Sequence, residues 1–240
     1  MFQFTAIASS SKGNCYHLTD GSSSLIIEAG VPWKYIRREI TNLCRGGNGH
    51  YHPAGCLVTH SHMDHAKGVK DATKAAVNVY SAKETFDALG VRGHRCVVVR
   101  PHEQFAVGSF TVLPFDTIHD APGSLGFLIA SGEEKLLFLT DTAYTSYLFP
   151  GLTHIVVEAN FSLEELERSI AAGLVHPSRK SRLVASHLSI ERTIDLLKDN
   201  DLGRVKEIRL IHLSESNSDE KKWKRMVQAT TGKAVYVEDE

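Results

Sequence analysis

The chain has 240 residues and a mass of 26.5 kDa, a length typical of one domain. Hydrophobic residues make up 42% and charged residues 23%, a composition that excludes a largely disordered chain. With 27 basic and 28 acidic side chains, the formal net charge is -1. A basic field over the whole surface is therefore excluded, and any recognition based on charge must be local.

The cysteines and the N-terminus indicate the compartment. Four cysteines are widely spaced with no Cys-x-x-Cys pair, which argues against a zinc ribbon or a disulfide scaffold. The opening MFQFTAIASSSKGN has no signal-peptide pattern, and no apolar run approaches the ~20 residues that span a bilayer. We expect a cytoplasmic protein with no membrane partner. No linker divides the chain, which predicts a single domain over 1–240. The sequence is compatible with a homodimer.

The first half of the chain is rich in short runs of strand-forming residues, separated by Ser, Gly and Asn clusters. After Pro32, the amphipathic segment WKYIRREITNLC predicts a helix. The apolar run CLVT ends at a histidine cluster, so this cluster is expected at a junction between a strand and a helix. Strands are predicted at 2–8, 15–19, 24–29, 56–59, 77–81 and 95–99, and helices over 33–44 and 82–90.

The second half follows the same order, with strands first and helices later. The segment QFAVGSFTVLPFDTIH predicts a hairpin that runs into a loop. Two strand-rich halves, each followed by helices, predict an α/β protein with two sheets packed face to face and helices outside. Further strands are predicted at 126–131, 135–141, 154–160 and 207–213, and helices over 163–173, over the basic stretch, over 190–200 and from about 219.

The densest group of possible metal ligands is the segment THSHMDHAKG. Here His60, His62, Asp64 and His65 fall within six residues, directly after the strand CLVT. Alternate histidines in a loop can converge on one ion, while the Asp and His that start a helix can reach a second ion nearby. A solvated polar loop rarely has four ligand-type residues at this density. The segment therefore predicts a metal site.

Three more candidate ligands follow apolar runs later in the chain. His119 follows LPFDTI, Asp141 follows KLLFLT, and His212 follows EIRLI. Taken singly, each has an ordinary alternative: a half-buried histidine for His119 or His212, and a turn or helix-capping residue for Asp141. The joint pattern favours ligands that meet at one rim.

This order of His-x-His-x-Asp-His, then His, Asp and His after later strands, resembles the metallo-β-lactamase superfamily over nearly the whole chain. The resemblance implies the αβ/βα four-layer sandwich with a dinuclear metal site at one edge. It implies one metal held by three histidines, a second held by Asp64, His65 and His212, and Asp141 as a bridge. The three histidines on the first metal would be His60, His62 and His119. No ligand is Cys, which fits two divalent ions such as zinc or manganese, or iron.

Narrower motifs resemble the YycJ (WalJ) group of this superfamily, whose members are described as nucleases. They are SSSKGNCYHL, LIIEAG, VEAN and HLSESNSD. The group usually has Asp where this chain has Glu28, which we interpret as a carboxylate that supports the site. In SSSKGN, Ser10, Gly13 and Asn14 predict a tight turn, with Asn14 also a candidate to line the site.

Two residues outside the ligand set resemble the Glu and His with which the related tRNase Z enzymes help to protonate a leaving oxygen. Glu158 ends the strand in VEANF, and His187 precedes a helix in VASHLSIE. Phosphodiester cleavage needs such a general acid. The alternatives are a carboxylate at a helix N-terminus for Glu158 and a cap-region residue for His187.

The basic stretch HPSRKSR contains Arg179, Lys180 and Arg182, which are candidates to bind substrate phosphate oxygens. The ordinary alternative is a solvated helix face. In KKWKR, near the C-terminus, we expect Trp223 to pack inward and the charges to be solvated.

The resemblance implies a phosphodiesterase that acts on nucleic acid or a nucleotide, and within that class a nuclease of the YycJ-like 5′ exonuclease type. Two ions would lower the pKa of a shared water from 15.7 towards ~7, and the resulting hydroxide would attack phosphorus. Asp64 and Asp141 would orient it, and His187 with Glu158 would supply the proton. The alternatives are a cyclic-nucleotide phosphodiesterase, a lactone, thioester or β-lactam hydrolase, and a non-catalytic binding module.

Overall fold

The computed structural model describes residues 1–44, 52–214 and 217–238. The chain divides into two compact units. The first unit consists of Met1–Asp116 and Ala121–Glu134, and the second of Thr117–Asp120 and Lys135–Glu240. Within the described residues, no helix is both long enough and apolar enough to cross a membrane.

The first unit contains a six-stranded sheet in the order β1-β2-β3-β4-β5-β6. Its first three strands are antiparallel, and β3 to β6 are parallel. Because the carboxyl ends of parallel strands meet at one edge, the residues after β3 and β4 are neighbours. The strands are β1 (Gln3–Ser10), β2 (Gly13–Thr19), β3 (Ser24–Ile27), β4 (Gly55–Leu57), β5 (Val79–Ser81) and β6 (Cys96–Val98).

The helices of the first unit pack on this sheet through their apolar faces. On α1, buried Trp33, Ile36 and Ile40 join one core with Ala66 and Val69 of the α2–α3 segment. The spacing of these apolar residues on α1 follows the helical period, which leaves the opposite face to solvent. The helices are α1 (Trp33–Cys44), α2 (Met63–Ala66), α3 (Val69–Lys74) and α4 (Lys83–Leu89).

An antiparallel meander completes the unit: β7 (Phe105–Val107), β8 (Phe110–Asp116) and β9 (Leu125–Ser131).

The second unit is built on four parallel strands, β10 to β13, with four helices. Ser162, Ser189 and Asp219 cap the N-termini of α5, α7 and α8 by accepting a backbone N–H bond. The strands are β10 (Glu134–Leu139), β11 (His154–Glu158), β12 (Glu207–Ile211) and β13 (Ala234–Val237). The helices are α5 (Leu163–Ala171), α6 (Ser178–Ser186), α7 (Ile190–Asp199) and α8 (Glu220–Thr231).

The predicted strands and helices are confirmed, with shifts of a few residues at their ends. The expected junction is also found, since the histidine segment links β4 to α2. Two elements were not predicted: the short helix α3 and the last strand, β13. The four residues of β13 are too few to give a clear period, and they form a strand because β12 offers a free edge. Glu215 and Ser216 of the motif HLSESNSD lie outside the described residues.

Candidate functional site

The first cluster consists of His60, His62, Asp64 and His65, in the segment that follows β4 and runs into α2. His60 and His65 are fully buried. The ring centroid of His60 lies 4.7 Å from that of His62 and 4.3 Å from that of His65. Asp64 Oδ2 lies 3.5 Å from His65 Nε2. The structure thus brings these four predicted ligands of the first unit into one small volume.

Neighbouring groups lie against the Nδ1 atoms of two of these histidines, His60 and His65. Thr59 Oγ1 lies 2.8 Å from His60 Nδ1, and Glu28 Oε1 lies 3.5 Å from His65 Nδ1. A histidine held at Nδ1 presents Nε2 to a metal. Thr59 N–H donates to both oxygens of Glu28, at 3.3 Å each. Burial raises the pKa of Glu28, although the nearby imidazole of His65 opposes that rise.

Two residues from the N-terminal motif region hold the first cluster in place. The fully buried Asn14 donates through Nδ2 to the carbonyl oxygens of Ser10 (3.0 Å) and Asp64 (3.2 Å), and Tyr16 OH donates to its Oδ1 (3.1 Å). Gly30 packs so closely that a Cβ atom there would lie 1.7 Å from the Asp64 carbonyl oxygen. A side chain at Gly30 is therefore incompatible with this path of the ligand segment.

The second cluster lies in the second unit and is assembled from five separate segments. Asp141, Glu158 and His212 follow or end the parallel strands β10, β11 and β12, whose carboxyl ends share one edge. Ligand atoms of these three residues and of His187 all lie within 4.8 Å of one another. The ring of His119 lies 5.4 Å from that of His187. Most of these groups are buried, and the His187 side chain is 18% exposed.

Glu158 is the centre of the second cluster. Its Oε1 lies 2.7 Å from His187 Nδ1 and 2.9 Å from His212 Nδ1, and Leu188 N–H donates to its Oε2 at 3.0 Å. Burial raises the pKa of Glu158, but the charge of His187 and the hydrogen bonds from His187 and His212 together outweigh burial and lower it. Burial likewise lowers the pKa of His187, but the charge and hydrogen bond of Glu158, together with the charge of Asp141, outweigh that effect and raise it. The two groups therefore favour an imidazolium–carboxylate pair.

His119 and His212 are held so that each presents Nε2. His119 Nδ1–H donates to the Ser186 carbonyl at 2.8 Å, and His212 Nδ1 lies 3.0 Å from Asp141 Oδ1. Burial lowers the pKa of His119, although Asp141 opposes this effect. A neutral imidazole is the form that binds metals. Asp120 Oδ1 also lies 3.3 Å from His119 Nε2. Asp120 was not among the predicted site residues, although it directly follows His119 in the sequence.

Backbone strain accompanies both clusters. Among the described residues, five that are not glycine have positive φ, and three of them belong to the clusters or contact them. These are Glu28 (65°), Asp141 (47°) and His212 (56°). Non-glycine residues in this region carry a conformational cost that the surrounding structure must offset, and such residues concentrate at functional sites. Each stands just after a strand, where the strained turn directs its side chain towards the cluster.

The cations predicted to bind phosphate lie on α6, and two of them form ion pairs. Lys180 Nζ lies 2.8 Å from Glu167 Oε1, and Arg182 Nε lies 2.8 Å from Asp120 Oδ2. These contacts compensate part of the positive charge of α6. Arg179 has no ion-pair partner within the described part of the chain.

The donor atoms of both clusters suit divalent metal ions. They are imidazole nitrogens and carboxylate oxygens, and within each cluster they lie close together. Most are buried, which is costly for such groups unless they are paired or bind a metal. Imidazole with carboxylate suits zinc, iron and manganese. Carboxylates and backbone carbonyls that fix the second nitrogen of each histidine are usual around metal sites.

The fold and these clusters define a class of protein. The model of the family described as the beta-lactamase superfamily domain matches residues 42–213. The chain therefore belongs to this family, and its fold is α/β with two sheets flanked by helices, as the sequence resemblance implied. Its His/Asp groups are able to bind metal ions.

Relatives give a narrower comparison. An exodeoxyribonuclease WalJ from Streptococcus pneumoniae is 26% identical over 231 residues, covering 90% of this chain and 83% of that protein. An exodeoxyribonuclease YycJ from Bacillus anthracis is 26% identical over 227 residues, with the same coverage of 90% and 83%. The predicted resemblance to the YycJ (WalJ) group is confirmed. The chain is a metal-dependent hydrolase of this superfamily.

Solved structures agree on the fold. YhfI from Bacillus subtilis, a metallo-beta-lactamase fold protein, aligns with a TM-score of 0.73 at 15% identity, covering 99% of this chain and 96% of that one. Zn(2+)-bound PqqB from Methylobacterium extorquens aligns with a TM-score of 0.69 at 15% identity, covering 100% and 99%. At this identity the likeness concerns the fold alone.

Proposed function

We propose that the protein is a phosphodiesterase that hydrolyses nucleic acid, most simply a DNA exonuclease. The resemblance to exodeoxyribonucleases over 90% of the chain supports this substrate class. The observation that carries the proposal is the Glu158–His187 pair, because it supplies a proton donor beside the candidate ligands Asp141 and His212. A carbonyl substrate with a good leaving group has no obvious need for such a donor.

We propose that the two clusters serve one pair of divalent ions, zinc or manganese, with iron as an alternative. His60, His62 and His119 would hold one ion, Asp64, His65 and His212 the other, and Asp141 would bridge them. The proposed bridging role of Asp141 fits its burial and the hydrogen bond that its Oδ1 accepts from Thr140 Oγ1 at 2.8 Å. When bound, such ions activate water and neutralise charge on phosphoryl oxygens.

The proton for the leaving oxygen would come from Nε2 of His187. Glu158 accepts the Nδ1–H bond, which fixes the ring orientation and stabilises the imidazolium. Glu158 is itself held by Leu188 N–H and by His212, so its carboxylate cannot turn away. After transfer, the neutral His187 would regain a proton from solvent, which its partial exposure of 18% permits.

A substrate panel tests the proposed function. Metal-loaded protein is incubated with 5′-phosphorylated DNA, RNA, cyclic mononucleotides, bis(p-nitrophenyl) phosphate and a chromogenic lactam. We expect turnover of DNA and of the chromogenic phosphodiester. Turnover of the lactam alone would contradict the proposal, and turnover of cyclic mononucleotides without DNA or RNA would replace the nuclease by a cyclic-nucleotide phosphodiesterase.

A further inference from the structure

A basic groove lies on the outer face of α1 in the first unit. Its volume is about 410 Å³, which is in the range of ligand-binding clefts. The inner face of α1 is anchored in the core by Trp33, Ile36 and Ile40, so the polar residues that line the groove are held on a fixed helix. Within the described part of the chain, the groove is lined by Pro32, Lys34, Tyr35, Arg37, Arg38, Thr41 and Asn42.

The positive charge of the groove is largely uncompensated. Lys34 and Arg37 are exposed, and neither has an ion-pair partner among the described residues. Arg38 pairs with Glu39 (Nε–Oε1, 2.7 Å), the only acidic residue within α1. This differs from α6, where two of the three predicted phosphate-binding cations are paired with carboxylates.

The helical period places these groups in a row. Lys34, Arg37 and Thr41 are separated by three and then four residues, so they lie along one face, with ~5–6 Å between successive Cβ atoms. Tyr35 is 38% exposed beside them, and the Arg38 guanidinium lies 4.8 Å from its ring centroid. Cations that follow a backbone, with an aromatic ring next to them, are the elements of single-stranded nucleic-acid binding.

The basic surface continues towards the first cluster. Lys67 stands two residues after His65, and both Lys67 and Lys70 are exposed without an ion-pair partner in the described ranges. The glycine between them, Gly68, packs on the start of α1: a Cβ there would lie 2.9 Å from the Val31 carbonyl oxygen. The lysines of the α2–α3 segment therefore stand on the element that joins the candidate ligands to α1.

We propose that the α1 groove binds the phosphate backbone of a single-stranded polynucleotide, at nucleotides other than the one that is cleaved. The net charge of the whole chain is -1, so this local charge is what a polyanion would recognise. The inference deepens the proposed function and rests on it. It adds a substrate property: a long strand binds better than a dinucleotide, because only the long strand reaches the groove.

Direct binding tests this separately from catalysis. Metal-loaded protein is titrated with fluorescein-labelled single-stranded DNA containing phosphorothioate linkages, which resist hydrolysis, and anisotropy is followed over a series of salt concentrations. The test variant is Lys34→Ala/Arg37→Ala. The matched control is Lys198→Ala/Lys221→Ala, which removes the same charge from exposed lysines without ion-pair partners among the described residues of α7 and α8. Thermal melting verifies that each variant is folded.

We expect the test variant to bind the long strand about 10-fold more weakly, with a salt slope shallower by about 0.7 for each lost phosphate contact. The control variant keeps the wild-type affinity and slope, and hydrolysis of bis(p-nitrophenyl) phosphate is the same in all three proteins. The proposal for the groove would be overturned if the test variant bound with the affinity and salt slope of the wild type. It would also be overturned if the control variant lost as much affinity as the test variant. If the binding results are as expected but no substrate of the panel is hydrolysed, the proposed hydrolytic function is rejected while the proposal for the groove stands.

Discussion

The two clusters contain similar side chains but are built in different ways. The first cluster comes from six consecutive residues that follow β4 and run into α2, and the second is assembled from segments as far apart as His119 and His212. Each cluster contains three histidines, but the second adds two buried carboxylates, Asp141 and Glu158. The first has a single carboxylate, Asp64, whose side chain is 26% exposed. Local sequence suffices to build a group of histidines, whereas holding two buried carboxylates beside histidines requires several strand ends.

The largest effect should come from removing one ligand in each cluster. We expect His62→Ala and His212→Ala each to lower turnover by more than about 10⁴-fold, because both ions are needed to activate water and neutralise charge. Elemental analysis should give about two ions per wild-type chain and fewer in each variant. Apo protein should also melt at a lower temperature than metal-loaded protein.

The control for these variants is His94→Ala, which removes an exposed histidine outside both clusters. It should keep full metal content and activity. If wild-type protein binds only one ion, or if either ligand variant retains full activity, the two clusters do not serve a shared pair of ions.

The next effect separates proton donation from metal binding within the second cluster. His187→Ala should lower DNA turnover by roughly 10²–10⁴-fold while metal content stays the same, because a general acid is lost and no proposed ligand is removed. With bis(p-nitrophenyl) phosphate the loss should shrink sharply, since p-nitrophenolate leaves without a proton. An equal loss on both substrates, or loss of metal, would make His187 a ligand or a structural residue.

A smaller effect tests how the first cluster is held. Gly30→Ala should destabilise the protein by about 3 kcal/mol and reduce metal content, because the new Cβ would lie 1.7 Å from the Asp64 carbonyl oxygen. Gly203→Ala is the matched control, because its nearest heavy atom would be a side-chain oxygen, Asp201 Oδ1, at 3.1 Å. Urea unfolding and elemental analysis measure both. If the two variants have equal stability and metal content, Gly30 does not determine the path of the ligand segment.

The smallest effect concerns a carboxylate of the first unit outside both clusters. Burial raises the pKa of Asp20, but hydrogen bonds from Ser109, Ser131 and two backbone amides outweigh it and lower the pKa from 3.8 to about 2. A lowered pKa stabilises the folded state above the unfolded pKa, and this contribution is lost as pH falls towards 2. Allowing for solvent screening, Asp20→Asn should cost about 1 kcal/mol at pH 7.

Urea unfolding at pH 7 and near pH 2 measures this difference, which should disappear at the lower pH. Metal content and turnover should be the same in Asp20→Asn and wild type at pH 7. A stability difference that does not change with pH would show that the carboxylate charge of Asp20 is not the cause.

Much of the fold follows from local sequence. Alternating and apolar runs located the strands, and the helices predicted over 190–200 and from about 219 begin next to their capping residues, Ser189 and Asp219. The short strand β13 was missed because four residues give too weak a period. The amphipathic pattern of α1 was recognised, but the uncompensated charge of its outer face was not, because carboxylates from any part of the chain can neutralise exposed cations.

The sequence by itself determined the family and the candidate ligands, because the crowded histidine segment and the residues after later strands are local features of the chain. Only the tertiary structure decided how these groups are paired. Glu158 lies between His187 and His212, and Asp120 reaches Arg182. The physical reason is that hydrogen bonds and ion pairs act over about 3 Å, and parallel strands bring distant segments to that separation only after folding.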